Sequence, residues 1–152
     1  MERPELDPAT LEVITAMPTV QTVLFESVEI DVSNNKQLFI HPIHRVIAEQ
    51  FPITLKFAIL SCCYDLKPGQ YSCRHTFLSG DKKQKIIDYT HDAVRMDAEG
   101  GGMGFRTTFE NLKIDAPGKY WVRAEVPGLR AEDVLLRIEE KKKGAPRLNI
   151  RA

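Results

Sequence analysis

Cysteine is scarce in this chain and odd in number, with only Cys62, Cys63 and Cys73 among 152 residues. No CxxC pair and no Cys/His spacing of the zinc type occurs, so neither a structural metal nor a disulfide scaffold is expected. Net charge is also missing, because 21 basic side chains balance 21 acidic ones. Nucleic acid and anionic membranes select for excess Lys and Arg, so the balance argues against either as a partner. No apolar run approaches the roughly 18 residues that a membrane span needs. The opening residues, MERPELDPATLEV, lack the basic and apolar regions of a secretory signal, and no Asn-x-Ser/Thr sequon occurs. A cytoplasmic protein with reduced thiols is the expectation.

What is present is β chemistry. From Thr19 onward, short runs of β-branched and aromatic residues alternate with turn formers such as Ser33-Asn34-Asn35, Lys67-Pro68-Gly69 and Ala116-Pro117-Gly118. Eight strands are predicted, at about 20–31, 36–48, 53–65, 70–80, 84–95, 104–113, 119–126 and 132–140. Within them one face is apolar: Ile53, Leu55, Phe57 and Ile59 in the third, Tyr120, Val122, Ala124 and Val126 in the seventh. The expected fold class is all-β, a two-layer antiparallel β-sandwich of immunoglobulin-like form. Residues 1–18 are expected to form an N-terminal segment with a short helix over 8–16, opened by Asp7-Pro8 and ended by Met17-Pro18. Residues 19–140 make the sandwich domain, and 141–152 a basic flexible tail.

If the third and fourth strands form a hairpin with matching apolar faces, the 67–69 loop places Cys63 opposite Cys73. Pro68 suits such a turn poorly, and the alternative is that the two strands lie in different sheets.

The segment from Leu112 to Arg123, LKIDAPGKYWVR, resembles the corner before the penultimate strand of immunoglobulin-like sandwiches. The resemblance implies that Tyr120 enters the core after the turn and ties its hydroxyl back to the preceding backbone. Val122 stands where antibody domains carry a Cys. The run from Val23 to Ile59, with Phe51-Pro52 before the third strand, is similar to the opening of an uncharacterised family of small bacterial or phage β-sandwich proteins. That likeness covers residues 22–140 and implies fold and origin, with no assigned activity.

Candidate sites are few. His41 and His44 lie three apart and point to opposite faces of a regular strand, so a shared metal is not expected. Asp31, Ser33 and Asn35 alternate as in a calcium loop, but Lys36 and Pro42 occupy the places of its Gly and Glu, and a hairpin turn is the reading. Gly100-Gly101-Gly102-Met103-Gly104 is followed by a strand in place of the Lys and helix of a phosphate loop, and reads as a mobile loop. No nucleophile beside a base stands out, so no catalytic residue, metal or cofactor is assigned. The remaining signal is a surface. With Tyr120 inward, Trp121 and Arg123 point outward, and if the third, penultimate and last strands share a sheet, Leu60, Cys62, Tyr64, Leu135 and Arg137 join them. Tyr64, Trp121, Arg123, Leu135 and Arg137 are therefore the candidate partner face, the alternative being that Leu11 and Ile14 of the N-terminal helix cover it. The expected function is a non-catalytic interaction module that binds a protein partner or forms a homodimer. The alternatives are a small-ligand or carbohydrate binder stacking on Trp121 or Tyr64, and a metal-dependent enzyme at His41 and His44.

Overall fold

Alternation of apolar and polar residues, broken at Gly, Pro and Asn, leaves the chain little option but strands. A computed structural model describes residues 19–142 and contains twelve strands and no helix in that range. The expected helix over 8–16, and the expected tail 141–152 beyond its first two residues, lie outside the described residues. One sheet, A, joins β1 (Thr19–Asp31), β2 (Lys36–Pro42), β4 (Ile53–Leu66), β9 (Gly101–Ile114) and β11 (Arg130–Ala131). The other, B, runs β3–β12–β10–β6–β7, built from Arg45–Ala48, Val134–Glu140, Gly118–Glu125, Arg74–Leu78 and Lys85–Thr90. A third, two-stranded sheet pairs β5 (Gly69–Tyr71) with β8 (Val94–Met96).

Twelve strands replace eight because three of the expected runs break in two and a short extra strand, β11, forms between the last two. The run 36–48 is divided between sheets: His41 has φ 46° and Pro42 has no N–H to donate, so the chain leaves β1 and re-enters as β3 beside β12. The runs 70–80 and 84–95 each yield one short strand to the third sheet and one to sheet B. The arrangement is mostly antiparallel, but β1–β11 and β3–β12 are parallel pairs.

The expected hairpin of the third and fourth strands does not form. β4 pairs with β1 and β9 in sheet A, whereas β6 pairs with β10 and β7 in sheet B. The Pro68-Gly69 corner leads from β4 into β5 of the small third sheet, and the chain enters sheet B only at Arg74, so Cys63 lies on β4 and Cys73 just ahead of β6. Both thiols are fully buried and free. The glycine run is also corrected: only Gly100 turns, at φ 75°, and Gly101 to Gly104 belong to β9. A side chain on Gly102 would come within 3.1 Å of the Cys63 carbonyl, so its absence lets the strand lie against the end of β4.

The sheets face one another over a shared interior. Phe57 of β4 meets Phe77 of β6 edge-on at 5.1 Å between ring centres, and Tyr120 of β10 stacks on Phe77 at 5.6 Å. Two clusters of buried residues result, one around Phe57, Phe77, Val122 and Leu136, the other around Cys63, Cys73, Phe105 and Val126.

Candidate functional site

Between the two apolar clusters lies a polar layer. On β1, Thr22 sits between Val20 and Leu24; on β4, Ser61 between Ile59 and Cys63; on β6, His75 between Cys73 and Phe77; on β9, Thr107 between Phe105 and Phe109. In each strand the alternation that points the apolar neighbours inward points the polar residue inward as well. Thr22 Oγ1 and Ser61 Oγ are 2.7 Å apart, Ser61 Oγ and His75 Nε2 2.7 Å, and His75 Nδ1 and Thr107 Oγ1 2.6 Å. The chain ends at His91, whose Nε2 lies 2.8 Å from Thr107 Oγ1. A neutral imidazole has one donor and one acceptor, so hydroxyls that can turn either way satisfy both nitrogens.

Ser61 beside His75 is the nucleophile–base contact that reading along the chain missed, because the two residues belong to different sheets. The clue was a polar residue on an otherwise apolar face of four strands. Its chemistry is structural. Both residues are wholly buried, and the group behind the imidazole is a hydroxyl where a triad would place a carboxylate. Burial, then the nearby His91, pushes the His75 imidazole down to about 4, which makes it a weak base. Burial likewise pushes the Cys63 and Cys73 thiols up to about 11 and about 12, so both stay protonated and unreactive at neutral pH.

The expected partner face is divided by the sheet topology. Leu60, Cys62 and Tyr64 lie on the outside of sheet A, Tyr64 51% exposed, beside the equally outward Val23, which pairs with Leu60. Trp121, Arg123, Leu135 and Arg137 lie on the outside of sheet B, where residues directly opposite on neighbouring strands share a face. That face is ordered in rows. Leu135, Trp121 and Leu78 form an apolar row. The β6–β7 turn folds over the indole: Trp121 Nε1 donates to the Gly80 carbonyl at 3.3 Å, and Lys82 Nζ stands 4.1 Å above the ring. Trp121 is thus half-buried by its own chain. Next to it, Arg123 donates through Nε and Nη2 to the two Asp133 oxygens at 3.0 Å each. That bond, with help from Lys82, holds the Asp133 carboxyl below the usual carboxylate range. Thr76, opposite Arg123, is buried, and its hydroxyl has no partner among the described residues.

The other sequence candidates resolve simply. His41 is highly exposed and pairs with Glu26 at 3.0 Å, while His44 stands exposed on the crossing to β3. No group of three His, Cys, Asp or Glu side chains converges on an ion-sized site among the described residues. Asp31 accepts from Ser33 N and Oγ at 3.0 and 2.7 Å, closing the β1–β2 turn as an Asx turn.

Compared with known proteins, the chain matches no family model and no curated protein sequence.

Proposed function

We propose that this chain is an immunoglobulin-like β-sandwich that works as a non-catalytic interaction module by pairing with a second copy of itself. The immunoglobulin-like assignment is supported by the corner at Tyr120, whose hydroxyl donates to the Ala116 carbonyl at 2.6 Å.

Self-association is carried by the free edge of sheet A. β9 is fourteen residues long and pairs with β4 alone among the described residues. An edge of that length exposes a row of backbone donors and acceptors, and proteins normally guard it with charge of one sign, proline or a covering segment. β9 carries instead an outward pattern of opposite charge, Arg106-x-Thr108-x-Glu110, all three exposed. When two copies pair antiparallel about Thr108, Arg106 of each lies opposite Glu110 of the other, and both cross-strand pairs are favourable. Glu110 already lies 3.4 Å from Lys56, an exposed contact that leaves it available. Asn111, at φ 55°, bends the strand and confines pairing to the part before it. Val23, Leu60 and Tyr64 form the apolar surface on the same outer face.

Sedimentation equilibrium tests the reading. Wild type is expected to dimerise, Arg106→Glu and Glu110→Arg are each expected to be monomeric, and a mixture of the two variants is expected to dimerise again, because every cross-strand pair is then of opposite sign. A monomeric wild type at high micromolar concentration, or a dimer indifferent to these changes, overturns it.

A further inference from the structure

The outer face of sheet B holds a second row that the sandwich does not need. Lys119 of β10 lies directly opposite Arg137 of β12, and Arg137 directly opposite Arg45 of β3. Three cations therefore stand side by side across three neighbouring strands, all exposed on one face. Strands lie about 4.8 Å apart, so the row spans about 10 Å. Like charges placed directly opposite destabilise a sheet, and the chain as a whole has no excess of cations that would put them there by chance. Among the described residues, only Arg45 of the three has a carboxylate, Glu139, which accepts from its Nε at 2.7 Å. Among the described residues Arg137 and Lys119 form no ion pair. The groove beside them is lined by five cationic side chains, Lys141 and Lys142 completing the set, against two carboxylates, Glu139 and Glu140. Pro117 and Gly118, just ahead of Lys119, also line it.

We infer that the Arg45–Arg137–Lys119 row is a binding site for a ligand bearing two or more tetrahedral oxyanions, phosphate or sulfate, within about 10 Å. Arg presents a planar fork of donors to each such group and Lys a point charge, and a bound anion converts the repulsion along the row into shared attraction. The site lies on the opposite sheet from the β9 edge and does not depend on self-association.

Isothermal titration with tripolyphosphate and, separately, with a heparin-derived sulfated disaccharide tests the site, and the two probes distinguish phosphate from sulfate. At least one is expected to bind, with an affinity that falls steeply as salt is added. Arg137→Gln is expected to weaken that binding about tenfold or more, whereas Lys36→Gln, a charge removed from the far β1–β2 turn, is expected to leave it within about twofold. Without ligand, Arg137→Gln is expected to raise Tm by about 2 °C, since it relieves the repulsion. Absence of binding to both probes, equal weakening by the two substitutions, or a lower Tm for Arg137→Gln overturns the inference. Binding of duplex DNA without either small polyanion overturns it too.

Discussion

Ser61 of sheet A and His75 of sheet B share a 2.7 Å hydrogen bond in the interior, and through it the two layers are joined by a polar contact as well as by apolar packing. The layer they anchor separates the two apolar clusters, so the interior is specified by pairing as well as by volume.

Acid should act on this layer before it reaches any carboxylate. The folded imidazole of His75 titrates at about 4, below its ordinary 6.5, so the unfolded chain binds the extra proton between those values. Stability is therefore full above pH 6.5 and is lost as pH falls towards 4, by about 1.4 kcal/mol per unit and ~3 kcal/mol in all. His91, also lowered by burial, adds to the same slope. The lowered carboxyls of Asp31, Asp81, Asp88 and Asp133 contribute only below their ordinary 3.8. Urea unfolding at pH 7.0, 5.5 and 4.5 checks this, and His75→Leu should flatten most of the slope.

Ser61→Ala should cost ~2 kcal/mol at neutral pH, because His75 Nε2 is left in the interior with only the Cys73 sulfur, 3.5 Å away. A loss of a few tenths in the urea midpoint analysis would show that this sulfur is partner enough.

Two corners should differ in weight. Tyr120 Oη donates to Ala116 O and Tyr71 Oη to Lys67 O, each at 2.6 Å and each within the same x-Pro-Gly-x-Tyr sequence. Tyr120 belongs to sheet B and stacks on Phe77, whereas Tyr71 belongs to the small third sheet. Tyr120→Phe is expected to lower global stability by about 1 kcal/mol, and Tyr71→Phe by less, with its effect visible in local hydrogen exchange around β5 and β8. Equal losses in thermal unfolding would contradict the assignment of the corner at 120 to the main core.

Gly80 should resist substitution. A methyl group there would meet the Lys119 carbonyl oxygen at 2.6 Å, a clash with backbone that cannot rotate away. Gly80→Ala is expected to cost about 1–2 kcal/mol and to lift the turn from the indole. Trp121 is the sole tryptophan, so a red shift of its emission reports the second effect directly.

Strand content, the turns and the inward side of each strand were legible along the chain because each is local: a period of two and a few turn residues decide them. Tyr120 illustrates this, since its corner is closed by a carbonyl only four residues away. The second corner at Tyr71 carries the same local signal, the repeated x-Pro-Gly-x-Tyr. Which strands become neighbours was not legible. Periodicity allows Tyr64 and Trp121 one face and they stand on two, and of the two readings for the strands carrying Cys63 and Cys73, a shared hairpin or different sheets, the second holds. The meeting of Ser61 with His75, and the alignment of Arg45, Arg137 and Lys119 in one row, depend on the same long-range pairing. Periodicity tells each strand which side to bury, and it does so identically for every partner with a matching apolar face. The choice among those partners is made by how the whole set of strands closes around the core, so only the tertiary structure could decide it.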